Sequence, residues 1–550
     1  MEKIWLKNYQ QGVPHEIDPS QYSSLVELFE KSCHQFADRV AYVNLGYQLT
    51  YAQLEKKSRQ FAHFLQSLGL KKGSRVAIMM PNLLQYPIAL FGILRAGLVV
   101  VNTNPLYTAD EVTHQMNDSG AEVLIVLANF AKTIEKALPH TTLKHVIITE
   151  IGDVLSPIKR TIVNMVVKYI KKMVPAYKLP QAIKFNAAFK HKTDKPLTTP
   201  PLSHKDIAFL QYTGGTTGVA KGAILTHGNM VANVLQAHSW INPLDLAKQD
   251  IIVTALPLYH IFSLTANCLT FIKIGAKNIL ITNPRDIPRF IDEIKNSKFT
   301  ALTGVNTLFN ALLNHSKFKE IDFSHVKLTL SGGMALQKSV AKKWHDVTKT
   351  RILEAYGLTE TCPAVTINPM YLEDYNGSVG LPLPSTEISI RDDSGKELDI
   401  NEVGELCIKG PQVMAGYWQR PDETALVMTA DGFLKTGDIA RVDENGYVYL
   451  VDRKKDLIIV SGFNVYPNEV EQVISQHPGV LEVGVIGVKN DKIGERVKAC
   501  VVKRDEKLTS EELIAHCREH LTSYKVPKEI EFYKELPKTN VGKILRRALH

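Results

Sequence analysis

Residues 212–223 read YTGGTTGVAKGA and follow directly on an apolar run, IAFLQY, that has the character of a buried strand. Gly214, Gly215 and Gly218 let the backbone approach phosphate oxygens, Thr213, Thr216 and Thr217 add hydroxyl donors, and Lys221 adds a compact positive charge. With Tyr212, Val219, Ala220, Gly222 and Ala223 the stretch makes a candidate phosphate-binding loop, the alternative being a plain surface turn. In a Walker loop a Gly precedes the lysine and a Ser or Thr follows it; here Ala220 and Gly222 stand there, which disfavours a P-loop NTPase. A Ser-His-Asp hydrolase is weakly supported because no GxSxG elbow appears. A KxDG motif for nucleotidyl transfer through a covalent lysine is also missing.

Such a loop has to be held at the end of a sheet. Over 75–126 short apolar runs (RVAIMM, LVVV, EVLIV) alternate with segments of helical period (LLQYPIALFGIL, DEVTHQMND), the rhythm of a doubly wound parallel sheet. The rhythm returns over 207–356 in IAFLQY, IIVTAL, NILIT, TALTGV, KLTLSG and RILEAY, with a helix at 339–348. The fold class is therefore α/β, with two stacked α/β subdomains. After about 378 short alternating strands and tight turns, with a hairpin around Glu444-Asn445-Gly446, predict a small β-barrel-like subdomain reaching about 450. Beyond DRKKD at 452–456, strands (EVGVIGV, KACVVK) mix with helices (VEQVISQ, EELIAHCREHL). The expected division is an N-terminal domain over 1–454 and a mobile α+β C-terminal domain over 455–550, with the charged run as linker.

The chain's 550 residues are enough for several cores, and 45% hydrophobic with 22% charged residues excludes disorder as the main state. Six cysteines without a CxxC pair argue against a disulfide framework and a zinc site. The N-terminus lacks the apolar core of a signal peptide, so a cytoplasmic location is expected. The uncharged stretch 251–272 is long enough to span a bilayer, but Pro257, His260, Ser263 and Asn267 interrupt it, and a buried strand, a loop and a helix are the better reading. Lys plus Arg (65) less Asp plus Glu (56) leaves +9, a surplus that suits an anionic ligand, a membrane surface or nucleic acid.

The phosphate loop is one of eight motifs that resemble, in order, those of the adenylate-forming superfamily of acyl-CoA synthetases, luciferases and peptide-synthetase adenylation domains. The others are LPLYHIF at 256, SGGM at 331, YGLTET at 356, GELCIKGPQVMAGYW at 404, TGD at 436, DRKKDLIIVSGFNVYPNEVE at 452 and PKTNVGKILRR at 537. DGFLKTGDIARVDENGYVYLVDRKK is further similar to the signature of the fatty-acyl-CoA synthetases. The resemblance implies that a fatty carboxylate and MgATP give acyl-AMP and pyrophosphate, after which the thiol of coenzyme A displaces AMP, supplying acyl-CoA to fatty acid degradation and lipid synthesis. The partners implied are long-chain fatty acid, ATP, Mg2+ and coenzyme A, with no nucleic acid; a homodimer is left open. Medium-chain or aryl acids of the same superfamily are the alternative substrates, and an inactive lipid-binding protein is the alternative from another class. A peptide-synthetase-type enzyme would carry an Asp near His260, which is absent.

The same resemblance assigns roles position by position. Glu360 corresponds to a magnesium-contacting glutamate, Thr359 to a phosphate contact and Tyr356 to an adenine-stacking residue. Asp438 and Arg453 correspond to residues that hold the ATP ribose, and Lys543 to the catalytic lysine that bridges the carboxylate and the α-phosphate. Lys455 takes the hinge position, and Ser461-Gly462-Phe463 the wall of the pantetheine tunnel. His260 is either a packed core histidine or a neighbour of the acyl carboxylate, and the acyl pocket is expected around His260, Gly304 and 332–334. SLTANCL after the His motif has no gating Trp.

Residues 157–178, PIKRTIVNMVVKYIKKMVPAYK, hold six basic and no acidic side chains, with Ile158, Ile162, Met165, Val166, Tyr169 and Met173 at helical spacing. This is either an ordinary surface helix whose stripe docks on the core or an interfacial helix on an anionic bilayer, in which case the protein sits peripherally on the cytoplasmic face of the inner membrane.

Overall fold

The computed structural model describes residues 2–190, 197–213, 220–245, 250–461, 463–490, 494–539 and 542–549. The helix Gln85–Arg95 (QYPIALFGILR) is apolar on every side and every one of its residues is buried. It lies where two large sheets meet. Tyr86 at its start donates to Asn102 Oδ1 of one sheet at 2.7 Å and to the Leu258 carbonyl beside the other at 2.8 Å. On one side is a seven-stranded sheet, in which Arg75–Met79, Val99–Asn102 and Ile207–Thr213 run parallel and Lys221–Thr226 closes the edge antiparallel. On the other is a nine-stranded sheet whose parallel centre comprises Ile251–Thr254, Ala301–Gly304, Leu328–Ser331 and Leu353–Gly357. Strands such as VVVN at 99–102 are buried on both faces, which is why they read as continuous apolar runs.

The β-rich region is a four-stranded antiparallel sheet ending in Leu434–Val442 and Val448–Arg453. Asn445-Gly446 does turn the chain there, within a longer loop. Asp443 Oδ1 accepts from the Asn445 and Tyr447 amides, and Gly446 takes φ +82° against Trp5, where a Cβ would stand 2.5 Å from the Trp5 backbone. A five-stranded sheet, from Ile458–Val460 to Glu529–Tyr533, follows and is packed by Pro467–Ile474 and Ser510–His520.

The stretch 251–272 is a buried strand followed, after a loop, by a short helical segment. Among the described residues no helix is long and apolar enough to cross a membrane. All six cysteines are free and buried.

The 157–178 segment is less helical than its spacing predicts, and of the two alternatives for its stripe it takes the undocked one. Its helical part stops at Ile170. Lys172 turns to φ +50°, and Pro175 disfavours helix at the residue before it. Its apolar stripe also does not dock. The helix is tethered through Asn164, which accepts from the Gly152 amide at 2.7 Å and donates to Glu150 at 3.0 Å. That leaves Ile158, Ile162, Met165, Tyr169, Ile170 and Met173 exposed, Ile158 to 76%.

Candidate active site

A cavity of about 1590 Å3 opens between the two large sheets and the C-terminal region. Its wall brings together Tyr212, Thr213, Lys221, His260, Tyr356, Thr359, Glu360, Asp438, Arg453, Lys455 and Lys543. Residues 214–219 of the phosphate loop, and Gly462, lie outside the described residues.

The strand Ile207–Thr213 delivers Tyr212 and Thr213 to the cavity, and the return strand places Lys221 opposite Thr213. Gly222 leaves room for the Tyr212 ring, which a Cβ there would crowd at 3.1 Å. The outer edge of the return strand accepts the Gly-Tyr-Trp motif: the Ile224 amide donates to the Gly416 carbonyl and the Trp418 amide to the Gly222 carbonyl. Ala223 forms an isolated bridge with Tyr417. Ala220 holds its carbonyl 3.3 Å from His114 Nε2. Docking sets the Tyr417 ring 5.5 Å from the Lys221 ammonium and its hydroxyl 2.7 Å from Glu360 Oε1, which accepts the hydrogen bond. Lys221 is itself ion-paired with Glu423. On the far side Tyr212 donates to Asp118 at 2.6 Å, and Arg420 closes on the same carboxylate.

Asp438 and Arg453 face each other across the antiparallel ladder, 3.4 Å apart at Oδ1 and Nε. The Tyr356 hydroxyl donates to Asp438 Oδ2 at 2.7 Å. Burial, and then the Asp438 charge, push that phenol well above its ordinary value. His260 caps the short helix Ile261–Ser263, its Nδ1 accepting from the Phe262 amide at 3.3 Å. Burial, helped by the charge of Lys543, pulls it down to about 4, so the imidazole is neutral at pH 7.

Lys543 stands on a tight turn in which its amide donates to Thr539 Oγ1 and its carbonyl accepts from the Thr539 amide. Thr307, on the helix Asn306–Leu313 that follows the strand Ala301–Gly304, donates to the Gly542 carbonyl at 2.8 Å and fastens that turn to the N-terminal part of the chain. Burial first, and Arg453 second, lower the Lys543 ammonium to about 8, while Asp438 holds it up. Lys455 sits exposed on the turn Lys454–Asp456. Ser461 is not part of the cavity wall: it lies exposed, at φ +51°, where Ile458–Val460 turns into Phe463–Val465.

The cavity wall also has an apolar part, Ile241, Leu256, Phe262, Ala266, Phe271 and Leu330, residues that share one hydrophobic cluster. Gly332 to Met334 reach it as expected, but Gly304 does not, because it packs on Phe309, whose ring would be 2.7 Å from a Cβ there. Glu354, on the same wall, is pushed up to about 8 by burial. The sequence reading missed Tyr417, Glu423 and Asp118. Tyr417 lay in a recognised motif with no role assigned, and the other two carry no local signal.

Among the described residues no cluster of three or more His, Cys, Asp or Glu side chains could cage a metal. One carboxylate, Glu360, flanked by Thr359, suits a magnesium ion that is carried on phosphates and keeps several waters.

A family model described as AMP-binding enzyme matches residues 29–418, and one described as AMP-binding enzyme C-terminal domain matches 469–543. The chain belongs to the AMP-binding enzyme family. Over 550 residues, covering 100% of this chain and 98% of the relative, this AMP-binding enzyme is 58% identical to a long-chain-fatty-acid–CoA ligase of Yersinia pestis. It is 39% identical over 553 residues, again covering 100% and 98%, to a long-chain-fatty-acid–CoA ligase of Bacillus subtilis. Its fold is similar to that of an anthranilate CoA ligase solved with anthranoyl-AMP, at TM-score 0.84 and 26% identity, covering 97% of this chain and 98% of that one.

Proposed function

We propose that this AMP-binding enzyme is an acid–thiol ligase that converts long-chain fatty acids to acyl-CoA through acyl-AMP, consuming ATP and coenzyme A with Mg2+ and releasing AMP and pyrophosphate. The observation that carries the reading is a single cavity whose wall holds both the phosphate-side residues Thr213, Lys221 and Thr359 and an apolar cluster that includes Ile241, Leu256, Phe262, Phe271 and Leu330. A fatty carboxylate, ionised at pH 7 with a pKa of about 4, can lie there with its chain along the apolar cluster and its oxygen turned to the nucleotide. No protein nucleophile is needed, because an ionised carboxylate held in line with the α-phosphorus is the attacking group. Lys221, Thr213 and Thr359 neutralise and orient the phosphates, and Asp438 with Arg453 holds the ribose. Glu360 would hold Mg2+, which supplies charge neutralisation when bound. Lys543 is the ammonium aimed where charge develops between carboxylate and α-phosphate. Neutral His260 beside it lines the acyl end without adding a competing charge.

Division at Lys455, into 1–454 and 455–550, is part of this proposal, as is a second half-reaction in which the C-terminal region turns to present 461–463 to coenzyme A. Pyrophosphate release across carboxylic acids of increasing chain length, with and without coenzyme A, tests the substrate. Long chains should be preferred, and a preference for aromatic acids would instead favour a reading like that of the anthranilate ligase.

The undocked basic helix supports peripheral attachment to an anionic lipid surface on the cytoplasmic face of the inner membrane. Its cations stand beside exposed apolar side chains, and each basic residue near such a surface contributes about 1 kcal/mol. Charge reversal of Lys168, Lys171 and Lys172 should release the protein from phosphatidylglycerol vesicles; unchanged binding would refute the attachment.

A further inference from the structure

Three residues beyond Lys543, Arg546 is bonded by all of its guanidinium nitrogens. Nε and Nη2 take the two Glu471 oxygens at 3.0 and 2.8 Å, and Nη2 also takes Asn468 Oδ1 at 2.6 Å. Nη1 takes Asp452 Oδ1 at 3.2 Å and Asp456 Oδ2 at 3.3 Å. Asp452 is 3% exposed, and its other oxygen accepts from the Asn468 amide at 2.7 Å. The Asn468 side chain in turn donates to the Val451 carbonyl.

Val451 and Asp452 precede Lys455, whereas Asn468, Glu471 and Arg546 follow it. Any large rotation at Lys455 therefore carries Arg546 and Asn468 away from Asp452. The geometry points to Arg546 as a positioning residue for the adenylation half-reaction: by clamping Asp452 across the hinge it holds the Lys543 turn in the cavity, and the clamp opens when the C-terminal region turns to coenzyme A. This rests on the roles proposed above for Lys543 and Lys455. A planar, permanently charged fork satisfied on every side suits the task, because its five fixed donors meet acceptors on both sides of the hinge at once, where a lysine has three on a flexible stem. Asp452 and Glu471 are both raised by burial and pulled back down by Arg546, so each side depends on the other.

The test measures the two half-reactions separately on the full-length chain, as pyrophosphate release from fatty acid and ATP, and as acyl-CoA formation from preformed acyl-AMP. Arg546→Gln should slow the first roughly tenfold to a hundredfold, the range of coupling between contacting charged groups, and leave the second within about threefold. Asp452→Asn, which keeps its size and its acceptor for Asn468, should show the same split. The double variant should be no slower than the slower single, and Arg546→Lys should fall in between. If Arg546→Gln does not fold, Asp452→Asn alone decides. Equal loss of both halves in these variants, or loss of neither, overturns the clamp. Lys543→Ala, run alongside, checks the underlying reading: if it loses both halves equally, the role of Lys543 fails whatever Arg546 does.

Discussion

The C-terminal region carries two turns that meet their surroundings in opposite ways. The turn that bears Lys543 is sunk in the cavity and fastened by Thr307 to the Gly542 carbonyl, while nearby Asn310 donates to the Leu481 carbonyl. The turn that bears Ser461 is open to solvent, with Phe463 58% exposed and stacked on Tyr524 of the same C-terminal region. Their costs differ too. Burying Lys543 next to Arg453 is unfavourable for its charge, so it stays only while the interface holds it. Ser461 spends about 1–2 kcal/mol on a left-handed backbone, yet as a small polar residue it costs little in water. One region thus carries one turn engaged in the cavity and one in solvent, the arrangement expected if the Lys543 turn serves adenylation as proposed.

The largest effect expected from this contrast is on Lys543 itself. Lys543→Ala should lower acyl-AMP formation by about 100- to 1000-fold, the usual loss when a donor aimed at developing charge is removed. It should still convert preformed acyl-AMP to acyl-CoA; equal loss of both halves would show that the two ends are not separate. Lys455→Pro should invert the pattern. Locking one backbone torsion at the hinge is expected to slow thioester formation roughly tenfold or more while adenylation stays within about threefold. Stopped-flow measurement of each half checks this, and a variant slowed in adenylation alone would move the hinge elsewhere.

How much of this was legible in the sequence varied with the range of the interactions involved. Strands such as 99–102 and the helix Gln85–Arg95 were readable because burial on all sides writes an unbroken apolar run. Asp438 and Arg453 were found through motifs, and their pairing follows from two strands close in sequence. Tyr417 and Glu423 act through contacts with residues far away in the chain, at Glu360 and Lys221; a motif marks the first without giving its role, and nothing local marks the second. The basic helix shows a further limit. An apolar stripe has the same period whether it docks or faces water, and here the contacts are made by the other side, where Val163 packs on the core and Asn164 binds Gly152 and Glu150.

The smallest effect sharpens the contrast most, because it sets the two ends against each other within one unmodified protein. With the Lys543 ammonium lowered to about 8, the charged form dominates below that pH and is lost above it. Acyl-AMP formation measured as kcat/KM should therefore hold up to about pH 8 and then fall by about tenfold per unit, as loss of one essential proton requires. Thioester formation should run the other way, rising with pH, because the attacking group is the thiolate of coenzyme A and an ordinary thiol ionises near about 8.5. His260, already neutral above about 4, contributes to neither limb. Bound ATP, a polyanion beside the lysine, favours the charged form, so the fall in kcat should lie at higher pH than that in kcat/KM. Lys543→Arg retains its charge throughout and should lose the alkaline fall in adenylation while keeping the rise in thioester formation. If the fall persisted in that variant, the titrating group would be another residue, and the buried turn would not owe its pH response to Lys543.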